Sequence, residues 1–282
     1  MTDRLFLITG ATDGIGKATA LALAQIGATV ILHGRDAEKT ARAVAEIQSA
    51  TGNTKLHTVI AEFAALDQVA ALAEQVTSSF GQLSVLINNA GQINDQRRLS
   101  QDGFELTFAV NHLAPFLLTQ QLLPVLKANA PARIVNVSSS ALGGGVIDLD
   151  DLQSESHFDG WQAYANTKLA NLLFSNLLAE QLAGSGVVSN ALCPGLIDTN
   201  LLHNRKIFPD ASLKYLQPRM RPPEEGAQVP LFLATADAAA DLSGQFFMRD
   251  GPDGGRPIPL NWDRDTAAAL WARSGELLAH WL

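Results

Sequence analysis

Tyr164 and Lys168 stand four residues apart, a spacing that brings both side chains onto one face of a helix about one turn apart. A phenol so placed suits proton transfer at an oxygen, because reducing a carbonyl requires a proton at the forming alcohol oxygen while hydride reaches the carbon. An unperturbed tyrosine, with a pKa of about 10, gives up that proton too reluctantly at neutral pH. A lysine charge roughly 5 Å away contributes about 3 kcal/mol at an effective dielectric of about 20, on the order of two pKa units toward the phenolate. Spacing alone therefore leads us to expect a tyrosine pulled down by its lysine. A second device lies at the other end of the chain, where Gly10, Gly14 and Gly16 punctuate Thr9-Gly10-Ala11-Thr12-Asp13-Gly14-Ile15-Gly16. Glycines permit a tight turn and close backbone approach, and a helix start offers unpaired N–H groups and a positive dipole end to a pyrophosphate.

These residues need a scaffold, and the chain alternates short apolar or β-branched runs with longer helical patterns. Strands are expected over residues 5–9, 29–32, 55–61, 83–87, 133–137, 187–192 and, briefly, 245–248. Helices are expected over 15–26, 37–50, 66–80, 101–127, 161–183, 224–234 and 263–281. Strand runs rich in Val, Ile and Leu without polar alternation indicate a parallel sheet covered on both faces. The expected fold is one α/β doubly wound Rossmann-type domain over 1–282, with a seven-stranded, mainly parallel sheet flanked by helices. In such sheets ligands gather beyond the carboxyl ends of the strands, so the residues following each strand carry the chemistry. The spacing G-x-x-x-G-x-G departs from the more familiar G-x-G-x-x-G, and a lone glycine loop is also what a plain strand-to-helix turn requires.

The loop does not stand alone. Together with Asn88-Asn89-Ala90-Gly91, the serines 138–140, Tyr164-x-x-x-Lys168 and Pro194-Gly195, it resembles the short-chain dehydrogenase/reductase family across nearly the whole chain. The stretches 110–116, 164–171 and 224–228 are most similar to the retinol dehydrogenase-like branch. That resemblance implies a Tyr164 general acid/base, Lys168 beside it and on the nicotinamide ribose, Ser139 holding the substrate carbonyl, and Asn111 holding a water for proton return. It also implies a cofactor site of Gly10, Thr12, Asp13, Gly14, Ile15, Gly16, Arg35, Glu62, Phe63, Asn89, Ala90, Gly91, Pro194, Gly195, Ile197 and Thr199, besides Tyr164 and Lys168. In the family alignment Gly34 takes the place of the acid that binds an NAD ribose, and Arg35 follows it, which favours NADP(H) over NAD(H) because a guanidinium pairs with a phosphate dianion. Asp13 and Asp36 count against that choice.

Segments 142–162 and 200–223 are expected to border the nicotinamide; the second is an apolar substrate lid, which points to a hydrophobic aldehyde, ketone or alcohol. Asp148, Asp150, Asp151, Glu155 and Asp159 in the first are expected to form a solvated loop. The apolar stripe of 263–281 is expected to pack on the body of the protein, with a homo-oligomer or membrane contact as the competing use. Twenty Lys and Arg against 28 Asp and Glu give a formal charge of -8, which excludes a nucleic-acid surface built on bulk positive charge. With 47% apolar and 17% charged residues the chain is globular rather than disordered. One cysteine, Cys193, allows no internal disulfide, and no histidine spacing matches a metal site. No run approaches a membrane span or signal peptide, so the reading is a cytoplasmic oxidoreductase, with an NADP(H)-sensing regulatory protein of little turnover as the rival. A tetrapyrrole reductase on the same scaffold is disfavoured by the scarcity of cysteines.

Overall fold

The structure, a computed structural model, describes residues 4–204, 206–249 and 255–282. Its elements run β1 (Leu5–Ile8), α1 (Gly14–Gln25), β2 (Thr29–Gly34), α2 (Ala37–Thr51), β3 (Leu56–Ile60), α3 (Leu66–Phe80), β4 (Val85–Asn88) and α4 (Leu106–Phe108). There follow α5 (Ala114–Ala128), β5 (Ala132–Val137), α6 (Gly160–Gln181), β6 (Val187–Cys193), α7 (Asp210–Leu216), α8 (Pro223–Gly226) and α9 (Gln228–Thr235). The chain then forms β7 (Phe246–Met248), β8 (Arg256–Ile258) and α10 (Arg264–Leu277). β1, β4 and β5 are buried along their whole length, as expected of strands that helices cover on both sides. The strands form one sheet in the order β3-β2-β1-β4-β5-β6-β7-β8.

Pairing is parallel from β3 through β7, and β7 pairs β8 antiparallel, Phe246 facing Ile258. Eight strands therefore replace the seven expected. Arg-Pro-Ile at residues 256–258 has no apolar periodicity to announce a strand, and it becomes one only because β7 offers an unpaired edge. One sheet face is packed by α3, α5 and α6 and the other by α1, α2 and α9.

The helix expected over 101–127 is interrupted. Glu105 accepts the Thr107 and Phe108 N–H groups and starts the helical run, and a buried π-turn at Ala109–Leu113 joins α4 to α5. The helix expected over 224–234 likewise divides at Ala227 into α8 and α9. Beneath α6, Asn88 Nδ2 donates to Asn136 Oδ1 at 2.9 Å, and Asn136 Nδ2 donates to Ser175 Oγ at 3.1 Å. This buried network ties β4, β5 and α6 together in one register. On α10, Ala267 and Leu270 pack on α6, and Trp271 lies 5.5 Å from the Phe174 ring. The stripe is spent on the body of the protein.

Candidate active site

At the carboxyl end of β1 the chain turns through Gly10, at φ +64°, where a Cβ would lie 2.9 Å from Ala90 Cα. A Cβ on Gly16 would lie 2.3 Å from the Gly10 carbonyl, so the loop tolerates no side chain at either place. The loop is pinned from β4: Thr9 Oγ1 accepts the Asn89 and Ala90 N–H groups at 2.9 and 3.0 Å, and Asn89 Nδ2 donates back to Thr9 and Gly10 carbonyls at 2.8 and 3.2 Å. His33, which sequence reasoning missed, closes the loop from β2. Its Nδ1 accepts the Gly10 N–H at 3.2 Å while Nε2 faces the Ala61 carbonyl at 3.0 Å, and Phe63 stacks on the ring at 4.4 Å. Burial pushes His33 down to about 4, so the ring is neutral and Nδ1 is free to accept.

Above this loop lies a cleft of about 800 Å³. Gly10, Thr12, Asp13, Gly14, Ile15, Gly16, Arg35, Glu62, Phe63, Asn89, Ala90, Gly91 and Thr199 all line it. The first-turn N–H groups of α1 have no intrahelical carbonyl to bond, and Gly14, Ile15 and Gly16, which open the helix, line the cleft, so the residues present fit a dinucleotide pyrophosphate. Lys17, Lys39, Arg42 and Asn200 also line the cleft and were not among the sequence candidates. Lys39 and Arg42 are three apart on α2, a spacing that points both at one place and was available to sequence reasoning. Arg35 lies 3.7 Å from Glu62. Asp36, counted as a charge against phosphate, caps α2 by accepting the Lys39 N–H at 2.9 Å. Asp13 caps α1 through Gly14 N and accepts a hydrogen bond from Asn200.

At the inner end of the cleft, a Cβ on Gly91 would lie 3.4 Å from Asn111 Oδ1 and 3.5 Å from Lys168 Nζ. Lys168 Nζ donates to the Val137 carbonyl at 3.1 Å and sits 5.3 Å from the Tyr164 ring centroid. Ser138 Oγ donates to the Lys168 carbonyl at 2.7 Å, while Ser139 bonds the Tyr164 phenol. The electrostatics differ from the expectation. Burial pushes Tyr164 up to about 12, opposed by a hydrogen bond with Ser139, and pushes Lys168 down to about 8. Loss of hydration disfavours both charged forms and outweighs the attraction that surface electrostatics would provide. Asn111, in the π-turn, holds Gln92: Oδ1 accepts its N–H at 2.8 Å, and Nδ2 donates to its carbonyl at 2.9 Å and to Thr167 Oγ1 at 3.1 Å.

Residues 4–209 match the short chain dehydrogenase family. The chain belongs to that family. It is similar to retinol dehydrogenase 13 of Homo sapiens, 40% identical over 278 residues that cover 96% of this chain and 83% of the relative. A putative uncharacterized protein from Mycobacterium Paratuberculosis has a similar structure, with a TM-score of 0.78 and 34% identity over 99% of this chain and 94% of its own. Two more distant neighbours differ in nucleotide. The Pseudomonas aeruginosa RhlG/NADP complex (TM-score 0.72, 27% identity, 90% of this chain and 97% of its own) holds NADP. A 3-ketoacyl-(acyl-carrier-protein) reductase from Brucella melitensis (TM-score 0.68, 25% identity, 89% of this chain and 98% of its own) is complexed with NADH. The protein is thus an oxidoreductase acting on CH–OH or carbonyl groups.

In this short-chain dehydrogenase Pro194 and Gly195 follow β6 as expected, but Ile197 is buried against α8, where a Cβ on Gly226 would lie 2.8 Å from its Cγ1. Ile197, Pro194, Gly195, Tyr164 and Lys168 all lie outside the lining of the outer cleft. Cys193 is buried, its Sγ accepting the Ser140 N–H at 3.1 Å. Segment 200–223 contributes α7 and clasps the loop after β4: Lys206 lies 2.9 Å from Asp95, and Asn204 Nδ2 is 3.4 Å from the Ile93 carbonyl. Phe208 meets Trp161 edge-on at 5.7 Å, and Trp161 lies 5.9 Å from the Tyr164 ring. The acids of the preceding loop serve their own backbone: Asp148 accepts the Asp150 and Asp151 N–H groups, and Asp159 caps α6. Among the described residues no helix is long and apolar enough to cross a membrane, and no group of His, Cys, Asp and Glu is placed to hold a metal ion.

Proposed function

We propose that this protein is an NADP(H)-dependent oxidoreductase that interconverts a hydrophobic aldehyde or ketone and its alcohol, with Tyr164 as general acid/base. The observation that carries this reading is the meeting of Tyr164, Ser139, Lys168 and Asn111 behind Gly91, which lines a cleft whose glycine loop suits a phosphate. A bound nicotinamide would supply or accept the hydride; Gly10, Gly14, Ile15 and Gly16 would face its pyrophosphate, and Lys168 its ribose. Ser139 and Tyr164 then share the substrate oxygen. A phenol at about 12 is fully protonated at neutral pH, the state a proton donor needs in carbonyl reduction. Lys168, near 8, is the group from which the phenol recovers its proton, and Asn111 holds the Gln92 backbone beside it.

Two features support NADP(H). An acid at the end of β2 has no room, because a Cβ at Gly34 would meet Thr40 Oγ1 at 2.3 Å and Thr12 Cγ2 at 2.5 Å. Arg35, Lys39 and Arg42 collect at the same end, while Asp13 and Asp36 have their carboxylates engaged in helix caps. The aromatic pair Trp161 and Phe208 beside Tyr164 supports an apolar substrate. The test is consumption of NADPH, followed by its absorbance, across decanal, benzaldehyde, cyclohexanone and pyruvate. Turnover of the apolar carbonyls above pyruvate is the expected result. Tight NADPH binding without turnover of any of them would overturn the enzymatic reading and favour a nucleotide sensor.

A further inference from the structure

The π-turn Ala109–Leu113 carries two adjacent buried polar side chains that face opposite ways. Asn111 turns to the site and holds Gln92 and Thr167. His112 turns away, into a box of the Phe108, Phe116 and Phe174 rings at 5.3, 6.1 and 6.3 Å, where its Nε2 lies 2.9 Å from Ser274 Oγ on α10. Ser274 is itself fully buried, and the bond joins residues 162 positions apart. An imidazole in an aromatic box costs desolvation that a leucine would avoid, so the polar pair needs a reason other than packing.

The geometry of the turn supplies one. A π-turn holds one residue more than the α-helix around it, and resolving it into α-helix rotates everything on one side by about 100°. Such a rotation would carry Asn111 off Gln92. Apolar packing against rings is non-directional and resists that rotation poorly, whereas a buried hydrogen bond between fixed elements resists it well. Burial also holds His112 near 4, hence neutral, against an opposing hydrogen bond with Asn171, and the neutral ring pairs its Nε2 with the Ser274 hydroxyl. We propose that the His112–Ser274 hydrogen bond is a positioning device: it locks the π-turn in the register that presents Asn111 to Gln92 and Lys168, so that α10, which lines no part of the dinucleotide cleft, governs the geometry of the proton-return end of the site. The catalytic half of this statement rests on the function proposed above; the structural half does not.

The test is amide hydrogen exchange at Gln92, whose N–H is held by Asn111, read relative to Val135 in β5. Ser274→Ala is expected to speed Gln92 exchange by about ten-fold over Val135. Leu270→Val, a cavity elsewhere on α10, lowers the thermal midpoint and leaves the Gln92 ratio unchanged. The double variant Ser274→Ala/His112→Leu removes both ends of that bond, so its midpoint recovers part of the loss while Gln92 still exchanges fast. An unchanged Gln92 ratio in Ser274→Ala, or its full recovery in the double variant, overturns the proposal. With NADPH and decanal, Ser274→Ala lowers kcat at constant KM and constant NADPH affinity, and adds nothing in an Asn111→Ala background. Loss of kcat in Asn111→Ala but not in Ser274→Ala overturns the positioning role. Fast Gln92 exchange with kcat unaffected in both variants upholds the positioning and removes Asn111 from the catalytic reading.

Discussion

The two ends of the cleft are built on opposite physics. At the outer end Arg35 leaves 69% of its side chain in solvent and pairs with Glu62 at 3.7 Å, a contact that salt screens and that contributes little to stability. At the inner end Tyr164 and Lys168 are 7% and 4% exposed, and loss of hydration drives their pKa values apart, to about 12 and about 8. Exposed charges can sort nucleotides by sign without disturbing the fold, while buried groups change their proton affinity and so can transfer protons. In the proposed function, the cleft keeps selection and chemistry apart by exposure alone.

The sharpest way to break this division is Tyr164→Phe. Turnover should fall on the order of 10³-fold, with NADPH affinity by fluorescence titration left intact. A phenylalanine that weakened nucleotide binding equally would show that the two ends are not separable. The electrostatics at the inner end have their own check. In Tyr215→Phe the only remaining tyrosine is Tyr164, and tyrosinate absorbance in the ligand-free protein should rise around pH 12. A midpoint below that of free tyrosine would restore the simpler picture in which the lysine dominates.

Next in size is acid sensitivity. His33 and His112 are held at about 4 against an ordinary histidine value of 6.5. Their folded pKa values are depressed, so the unfolded chain binds the protons first; stability is complete above pH 6.5 and is lost as pH falls toward 4, by on the order of 3 kcal/mol for each residue. Urea midpoints across that window should show the fall. Because His33 Nδ1 accepts the Gly10 N–H, its protonation also releases the glycine loop, and NADPH affinity should drop with it. A smaller effect is expected at the outer end, where Arg35→Ser should weaken NADPH by about ten-fold relative to NADH at low salt, and by less at high salt. Smallest is Lys206→Met. Its partner Asp95 is held below the ordinary carboxylate range chiefly by Lys206, yet the lysine side chain is 66% exposed, so the thermal midpoint should barely move.

Much of the site was legible without coordinates. Local rules suffice for a glycine loop between a strand and a helix, for two side chains one helical turn apart, and for apolar runs that demand a covered parallel sheet. Gly10, Gly16, Tyr164 and Lys168 needed nothing more to be found. Ser139 was separable from Ser138 by resemblance alone, and the structure shows the Ser138 hydroxyl donating to the Lys168 carbonyl. β8 escaped notice because its three residues have no pattern of their own, and the π-turn because one extra residue of winding leaves no mark on apolar periodicity.

What the chain order alone determined, then, is the kind of chemistry and the sheet that carries it, since both depend on residue types at short separations. Three matters only the tertiary structure decided. Burial set the direction of the Tyr164 and Lys168 shifts, because hydration depends on what else surrounds a side chain. Close approach of Thr12 and Thr40 left Gly34 no room for an acid. And α10, 162 residues distant along the chain, bonds His112 and thereby reaches the back of the site. Each depends on atoms that meet only when distant segments pack, and spacing along a chain does not record such meetings.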